Sequence, residues 1–483
     1  MPPAVRAPSG RTTGTRSPTS GCARPRSRNG SPATWRPIPK PAPTEWDRSH
    51  SHRNPGPTFR HMTEQSSPQQ RAMMTFPPLR PRARGLAVAG VLLLGLTACG
   101  GGDDEPETTP TQDPDLTFTG EPVKVMTVTP YDTDTLNMRA ALDVADGARV
   151  AINNAGGING HELVVIACNE GADPNKAADC ARQAVEEDVS AMVGGFTANG
   201  DTIMPILEEA GIPWIAPTGI SAAELTSELS YPISSGVVGL ASLGARTAED
   251  GCDDVAFVTY DLPTTDQVAG LVDVGRASQG SEPTTQIKVP PTTTDYSSIA
   301  QEIADYDCAV MALPSNALVG MSAAGASLGS GTTYYVVPGG LTDSATDQAA
   351  GTLEGAVTLS SFPAATDGVW DDAKAAVGDL EGEENGGWSL MWYQNTWAGY
   401  QTFASLLEGK DDLSARGVAK VFGTAAGVET DFTAPIDFTQ EFPAPGLNRM
   451  FNRQILFISV EDGALEPESG DFVDLAAALA PAP

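Results

Sequence analysis

Residues 151–185 read AINNAGGINGHELVVIACNEGADPNKAADCARQAV, and this stretch contains the turn from one helix into a strand and then into a second helix. The helical stretch before it has apolar residues on one stripe, and Gly156-Gly157 is a typical stop. HELVVIACN is a short apolar run of the kind that forms strands, and a helix follows around residues 175–187. Helix, strand and helix in this spacing predict one unit of a parallel sheet with covering helices.

The same alternation extends in both directions along the chain. The first group of strand-like runs is VKVMTVTP (123–130), VSAMVGG (189–195) and IPWIAP (212–217). The second group begins after Asp254 with VAFVTYD (255–261), TTQIKVPP (284–291), CAVMALP (308–314) and TTYYVVPG (332–339). Helix-like stretches separate these runs, so the sequence predicts an α/β fold with two doubly wound parallel-sheet lobes.

Polar or glycine-rich segments follow most of the predicted strands. Six of them occupy the same topological position, at residues 129–134, 194–199, 217–221, 260–266, 314–316 and 338–342. Such residues are also what ordinary turns contain. Because ligands bind outside the carboxyl ends of parallel strands, their recurrence predicts a cleft for a small molecule between the lobes.

An apolar run before the body predicts export from the cytoplasm. Residues 86–99 read LAVAGVLLLGLTAC and follow Arg80, Arg82 and Arg84, a pattern typical of a lipoprotein signal with Cys99 as the lipidated residue. A truncated transmembrane helix is the alternative, but a span needs about 20 apolar residues. We therefore expect an extracytoplasmic protein that is anchored to the cell membrane through Cys99.

The segments around the signal differ from the body in composition. Residues 1–72 are rich in Arg, Pro and Ser, a composition that predicts a disordered or non-native extension. We expect residues 73–98 to be the signal peptide and residues 99–120 to be an acidic flexible linker. Residues 1–98 hold 15 of the 29 Lys and Arg but 3 of the 61 Asp and Glu, so the remainder has a net charge of −44. Such an acidic body would repel nucleic acid, and we expect no nucleic-acid partner.

Four cysteines remain after Cys99, an even number that suits an oxidising compartment. Cys168 ends a predicted strand and Cys180 lies in the next helix, whereas Cys252 and Cys308 each precede a strand. We expect bridges Cys168–Cys180 and Cys252–Cys308. A four-cysteine zinc site is the alternative, but it lacks close CxxC pairs, so no metal is expected.

Residues 151–185 resemble the first lobe of type I periplasmic binding proteins of the branched-chain amino acid (Leu/Ile/Val) family of ABC transporters. The run I-N-x-x-G-G-I-x-G followed by D-P-x-x-A carries this likeness, and residues 191–226 and 435–465 resemble later parts of the family. The resemblance implies two lobes joined by three hinge strands, near residues 234–236, 360–363 and 433–435. Lobe 1 would then be 121–235 plus 362–434, lobe 2 would be 236–361 plus 435–475, and 476–483 would be a tail.

The resemblance also implies which residues bind the solute. In amino-acid-binding relatives, two first-lobe loops hold the ligand carboxylate through amides and hydroxyls; here they correspond to Thr197, Ala198 and Asn199 and to Thr218, Gly219, Ile220 and Ser221. The ligand amino group meets aromatic hydroxyls and an acidic residue of the second lobe. The corresponding positions are Thr265, Ser315 and Gly339, which argues against a branched-chain amino acid unless Asp132, Asp261, Asp266 or Asp343 supplies the charge. Tyr131 would stack on the ligand or pack at the rim.

The family's function would be that of a solute-binding component. The lobes would close on a small polar solute such as an amino acid or amide, and an ABC permease would recognise the closed form. A sensor that signals to a membrane receptor is the alternative. We expect neither catalysis nor a cofactor: Ser327 in GASLG has its strand and helix in the wrong order for a nucleophile elbow, and His161 has no evident catalytic partner. The tryptophans 388, 392 and 397 predict core and hinge packing, with one ring reaching the cleft.

Overall fold

The computed structural model describes residues 112–133, 137–261, 265–378, 380 and 387–479. Cys99, the predicted signal, the predicted extension before it and Asp134 lie outside these residues, as do the side chains of Thr265 and Asp266. Within the described part of the chain, no helix is long and apolar enough to cross a bilayer.

The first lobe is built on a five-stranded sheet in which every pair of neighbours is parallel. Its strands are β1 (Val123–Thr129), β2 (Leu163–Asn169), β3 (Ala191–Val193), β4 (Trp214–Ile215) and β5 (Ser230–Tyr231), in the spatial order β2-β1-β3-β4-β5. The helices between them are α1 (Ala140–Asn154), α2 (Pro174–Glu186), α3 (Gly200–Ala210) and α4 (Ala222–Thr226). The strand order reverses at β1, which has β2 on one side and β3 on the other.

The second lobe is built on a larger sheet with the order β12-β11-β10-β9-β8-β6-β7. Its strands are β6 (Val255–Tyr260), β7 (Thr285–Val289), β8 (Cys308–Ala312), β9 (Thr333–Val336), β10 (Val357–Ser360), β11 (Gln454–Glu461), β12 (Ala464–Pro467) and β13 (Val473–Asp474). Strands β6 to β10 are parallel, whereas β11 is antiparallel to β10, β12 and β13. Its helices are α5 (Leu240–Glu249), α6 (Thr265–Ser278), α7 (Ser297–Ile303), α8 (Ser315–Leu328), α9 (Asp343–Ala349) and α13 (Ala476–Leu479). The two doubly wound parallel lobes that the sequence predicts are therefore confirmed.

Three later helices return to the first lobe: α10 (Asp371–Val377), α11 (Met391–Leu407) and α12 (Ala415–Gly423). Helix α11 is buried on most of its surface and packs on α1 and on the carboxyl end of β3. The Thr127 hydroxyl in β1 lies 2.7 Å from the Tyr400 hydroxyl, and the Gly195 amide donates to Thr396 Oγ1 at 3.1 Å. This helix therefore supports the loops at the strand ends from behind.

The chain crosses from one lobe to the other where residues close in sequence pack in different hydrophobic cores. Ile233 packs in the first core and Val238 in the second, and Leu359 packs in the second core and Phe362 in the first. The first two passages are tied together because the Ser235 amide donates to Ser361 Oγ at 2.8 Å, and both serines are buried.

The third passage is predicted at 433–435, and the chain after it contacts both cores. Ile436, Phe438 and Phe451 pack in the first core, whereas Phe442 and Met450 pack in the second. Phe438 contacts both Tyr231 and Phe451 with ring centroids 5.8 and 5.1 Å apart. Residues 436–451 therefore lie against both lobes before the chain enters β11 at Gln454.

Both predicted disulfides are present. Cys168 at the end of β2 is bonded to Cys180 in α2, and Cys252 is bonded to Cys308 at the start of β8. The second bridge forms because β6 and β8 are parallel neighbours with Val255 opposite Cys308, so the two strands begin at the same edge of the sheet. The four cysteines are therefore not available as metal ligands.

Candidate functional site

The two predicted first-lobe loops come together at the amino end of α3. Residues 197–199 lead directly into Gly200, the first residue of this helix. A Cβ atom placed on Gly200 would lie 2.3 Å from Ser221 Oγ and 2.8 Å from the carboxyl carbon of Glu224. Asp201 in the same turn accepts a 2.8 Å hydrogen bond from the Ala223 amide. The loops after β3 and β4 therefore form one continuous wall beside the strand-order reversal, where ligands of parallel sheets bind.

A buried glutamate that the sequence analysis did not select stands behind the first loop. Glu170 directly follows β2 and is 1% exposed, and its Oε2 accepts a 2.7 Å hydrogen bond from Asn199 Nδ2. Thr197 is fully buried, and its Oγ1 accepts from the Asn199 amide at 2.9 Å. Burial raises the pKa of Glu170, while the hydrogen bonds from Asn199 and Thr197 oppose this shift. Asn199 is thus held from two sides, whereas Ala198 between these residues is exposed.

A second buried glutamate holds the loop after β4. Glu224 is fully buried, and its Oε2 accepts from the amides of Ser221 at 2.7 Å and Ile220 at 3.1 Å. The Glu224 amide in turn donates to Ser221 Oγ, which completes a capping box at the start of α4. Burial raises the pKa of Glu224, and the hydrogen bonds from the Ser221 and Ile220 amides oppose the shift. The hydroxyl of Thr218 is buried and lacks a hydrogen-bond partner among the described residues.

Tyr131 lies at the end of β1 as expected, and its backbone exchanges two hydrogen bonds with Asn169. The Tyr131 amide donates to Asn169 Oδ1 at 3.1 Å, and Asn169 Nδ2 donates to the Tyr131 carbonyl at 2.9 Å. The guanidinium of Arg139 lies over the Tyr131 ring, 5.0 Å from its centroid. This contact places the exposed cation of Arg139 beside the strand-order reversal. Arg139 is not among the residues predicted from the sequence.

The second-lobe residues are more dispersed. Ser315 is the first residue of α8, and its hydroxyl oxygen lies 3.4 Å from that of Thr342. Asp261 is exposed, and its backbone amide donates a hydrogen bond to the Val289 carbonyl of the edge strand β7. Thr265 begins α6, and its side chain lies outside the described part of the structure. Tyr260 at the end of β6 adds a phenol at this edge; burial, with a contribution from Tyr296, raises its pKa to about 12.

Trp392 connects the two walls. Its ring centroid lies 5.6 Å from that of Phe196 in the loop after β3. On the other side, a Cβ atom on Gly339 would lie 3.8 Å from Trp392 Nε1 and 3.2 Å from Leu390 Cδ1. Trp388 and Trp397 are buried in the first core. Of the three tryptophans, Trp392 is therefore the one that meets residues of both predicted walls.

The enzyme-like features are accounted for by ordinary structure. Ser327 lies in the last turn of α8, and its hydroxyl donates back to the Ala323 carbonyl at 2.9 Å. His161 Nδ1 lies 2.7 Å from the Glu121 carbonyl oxygen. Among the residues that the structure describes, no group of three or more His, Cys, Asp or Glu side chains could hold a metal ion.

The sequence contains a signal for two residues of the site that were not predicted, Glu224 and Glu170. Ser221 and Glu224 have the S-x-x-E spacing of a capping box, which predicts that the glutamate turns back to the loop. Glu170 directly follows the predicted strand HELVVIACN, the same topological position that the six polar segments occupy. Arg139 has no such signal, because its contact with Tyr131 depends on how α1 returns to the sheet.

The chain shares its fold with solved structures of binding proteins at low sequence identity. A fatty acid ABC transporter substrate-binding protein from Thermomonospora curvata is 14% identical, with a TM-score of 0.61 over 77% of this chain and 97% of that one. A solute-binding protein of an ABC transporter from R. palustris, in complex with 4-hydroxybenzoate, is 16% identical, with a TM-score of 0.58 over 74% and 97%. A branched-chain amino acid transporter substrate-binding protein from Streptococcus pneumoniae, in complex with isoleucine, is also 16% identical, with a TM-score of 0.58 over 73% and 99%.

No curated protein matches this chain in sequence. The family model described as periplasmic binding protein matches residues 127–464, which is most of the chain. The chain therefore belongs to the periplasmic binding protein family.

Proposed function

We propose that this protein is the membrane-anchored solute-binding component of an ABC importer and that it holds a small polar solute between its two lobes. Membership in the family makes the chain a binding protein and not an enzyme. The observation that carries the proposal is the convergence of loops 197–199 and 218–221 on the amino end of α3, beside the strand-order reversal of the first sheet. The first-lobe contacts would come from these loops and Tyr131, and the second-lobe contacts from Ser315 and Gly339. All of these contacts, like those expected from Asp261 and Thr265, stay predictions.

Closure of the lobes would couple binding to transport. A solute that touches both walls only in the closed state shifts the equilibrium toward that state by its difference in affinity. The passages near residues 235 and 361 and the predicted third passage at 433–435 are the segments about which the lobes would turn. Recognition of the closed form by a permease would then depend on solute binding.

Two observations bear on the chemical class of the solute: the ligands named for similar proteins and the mixture of polar and apolar residues at the predicted walls. The names of the similar proteins give isoleucine, 4-hydroxybenzoate and fatty acid as what those proteins bind or transport. In this chain, the ring of Phe196 contacts that of Trp392, and Phe196 directly precedes the polar residues Thr197 and Asn199 of the first loop. This mixture suits a small molecule with one apolar and one polar end.

The anchor is proposed from the sequence of residues 86–99. Cys99 would carry the lipid, and residues 99–120 would form the tether to the body. Growth of expressing cells with an alkyne-bearing fatty acid should label the wild-type chain and leave Cys99→Ala unlabelled. Equal labelling of the two proteins would refute the assignment of Cys99.

The binding function is tested by a thermal-shift screen of the full chain against amino acids, amides, aromatic acids and fatty acids. A solute that binds the folded state raises the melting temperature by mass action. Ala198→Trp should abolish the shift, because Ala198 is exposed at the tip of the first loop and a large ring there would fill the cleft without entering the core.

Ala210→Trp is the matched control, since Ala210 is equally exposed but lies at the far end of α3. Both variants should keep the melting temperature of the unliganded wild type. An unchanged affinity in Ala198→Trp would refute the position of the site, and the lack of any hit in the whole screen would refute the binding function.

A further inference from the structure

We infer that a groove on the first lobe, apart from the solute cleft, binds a basic amphipathic peptide segment of a partner protein. The groove lies between α1, α10, α11 and residues 428–435, and its volume is about 1310 Å³. The inference goes beyond the proposed function, because none of the described residues that line the groove is a predicted solute contact. It follows from the size of the groove, its apolar floor and its acidic edge.

The groove lies at the end of the lobe that is opposite to the predicted solute loops. Its lining residues 151–160 lead from the last turn of α1 into β2, so they lie at the amino ends of the strands. The solute loops follow the carboxyl ends. Asn159 fixes this end of the groove, because its Nδ2 donates to the Leu407 carbonyl at 2.8 Å and its Oδ1 accepts from the Gly409 amide at 2.7 Å.

The size and shape of the groove suit a peptide better than a small molecule. Pockets for small molecules usually enclose about 300–1,000 Å³, and this groove is larger. It follows α11 from Trp397 to Glu408, a rise of about 16 Å. Alanines of α1 and α10, such as Ala155 and Ala375, leave the space open to solvent. Grooves of this kind receive the apolar face of an amphipathic helix.

The floor of the groove is apolar. Val369, Ala404, Val428 and Phe432 line it and are half-buried, so part of each side chain is available to an occupant. The ring of Phe432 is fixed in place because it stacks on Trp370, with ring centroids 5.1 Å apart. Apolar side chains of an occupant would cover this surface and remove it from water.

A threonine of the groove lacks a hydrogen-bond partner. Thr402 lines the groove and is 3% exposed, and its hydroxyl has no partner among the described residues. A helical threonine can donate to the carbonyl four residues earlier, as Thr396 does to Trp392 at 3.0 Å. Because a buried hydroxyl without a partner is costly, a polar group of an occupant would be favoured beside Thr402.

The edge of the groove is acidic. Asp372, Glu408, Glu429 and Asp431 line it and are exposed, whereas Lys, Arg and His are missing from its described lining. Within the described part of the chain, none of the four carboxylates forms an ion pair. Lysine or arginine side chains of an occupant would therefore meet carboxylates that have no competing cation.

The charge also decides between the possible occupants. A second copy of this chain would bring the net charge of −44 that residues 99–483 hold, and the two copies would repel each other. An anionic lipid surface is disfavoured for the same reason. A segment with lysines on one face and apolar residues on the other matches both the edge and the floor.

The test uses a fluorescently labelled peptide of sequence KLAKLAKKLAKLAK, whose leucines share one face of a helix. A control peptide has the same residues in an order that spreads the leucines around the helix. Both peptides are attracted equally by the acidic body, so a difference between them reports the groove. Anisotropy titration of the full chain should show the amphipathic peptide bound at least about tenfold more tightly. Equal affinities would overturn the inference.

Ser405→Trp locates the binding site. Ser405 is exposed and lines the groove, so a large ring there should fill the groove and weaken binding at least about tenfold. Ser327→Trp is the matched control, since Ser327 is an exposed serine in the last turn of α8 in the second lobe, and it should bind as the wild type does. An unchanged affinity in Ser405→Trp would overturn the inference.

A pair of double variants tests the acidic edge. Glu408→Gln with Asp431→Asn should weaken binding about tenfold, because two exposed ion pairs are lost. Glu302→Gln with Asp347→Asn removes the same charge at exposed positions of the second lobe and should leave the affinity within about twofold. Equal losses in the two variants would show attraction to the whole acidic body and would overturn the inference.

Hydrogen exchange checks the location without a substitution. The backbone amides of residues 429–434 should exchange more slowly when the peptide is bound, and those of loops 197–199 and 218–221 should be unchanged. Protection of these two loops instead would place the peptide in the cleft and overturn the inference. The solute screen of the cleft is a separate experiment, so a failure of either proposal is distinguishable from a failure of the other.

Discussion

Gly236 offers a sharp test of how the first passage between the lobes is built. Its φ of +54° lies in the left-handed region, and a Cβ atom there would lie 2.3 Å from the carbonyl oxygen of Gly219. The same oxygen accepts a 3.2 Å hydrogen bond from the Val237 amide. Gly236 therefore joins the passage to the loop that includes Thr218 and Ser221. The perturbation that we consider is Gly236→Ala.

The expected loss has two parts. An alanine in the left-handed region costs about 1–2 kcal/mol relative to glycine. Since Cβ atoms stay at least 3.0 Å from other heavy atoms, the two segments must also separate by about 0.7 Å. Overpacking of this kind costs about 1–3 kcal/mol. We therefore expect Gly236→Ala to lower the free energy of unfolding by about 2–5 kcal/mol.

Urea denaturation of the oxidised protein measures this loss, and Gly211→Ala is the matched control. Gly211 follows α3 with a φ of +73°, but a Cβ atom there would have no neighbour within 4 Å. The control should lose only the backbone part, about 1–2 kcal/mol. Equal losses in the two variants would refute the close approach of Gly236 and Gly219 as the source of the constraint.

Two further predictions concern stability. Burial raises the pKa of Glu224 above its unfolded value, so its contribution to stability is full below the unfolded pKa and is lost as the pH rises through the folded pKa. Denaturation between pH 4 and pH 8 should therefore show the stability of the wild type falling relative to Glu224→Gln, by up to about 1.4 kcal/mol per pH unit; a constant difference would contradict this. The two bridges close loops of 12 and 56 residues, so replacing Cys252 and Cys308 by serine should cost about 4 kcal/mol and replacing Cys168 and Cys180 about 3 kcal/mol. A larger loss for the shorter loop in urea denaturation would contradict the chain-entropy reasoning.

Periodicity was sufficient for most of the fold. Apolar runs such as VAFVTY became buried strands, and the stretches between them became helices, because alternation of strand and helix permits few arrangements other than a covered parallel sheet. The run IPWIAP became a strand of only two residues, Trp214–Ile215. Pro213 and Pro217 flank it closely, and proline has no amide hydrogen for the sheet.

Pairing of the cysteines was also within reach of the sequence. Cys168 and Cys180 lie 12 residues apart in one strand-to-helix unit, and Cys252 and Cys308 each lie where a predicted strand begins. The packing of residues 436–451 against both cores could not be predicted from the sequence. It depends on contacts such as that of Phe438 with Tyr231, a residue about 200 positions earlier in the chain.

The positions of the two candidate loops in the fold could be predicted from the sequence, but the side chains that hold these loops could not. Loops 197–199 and 218–221 could be placed at the sheet edge, because strand ends in a parallel sheet share one edge. Whether their donors are free for a solute depends on which side chains lie behind them. The sequence does not show that Glu170 reaches Asn199 across the end of β1, nor that Glu224 becomes fully buried.

What the sequence determined by itself is the architecture, since hydrophobic burial acts on local patterns that repeat along the chain. What only the tertiary structure decided is the direction of hydrogen bonds at the cleft. Donors and acceptors there are assigned by contacts between residues such as Glu170 and Asn199, 29 positions apart, and by the burial that makes each unsatisfied group costly.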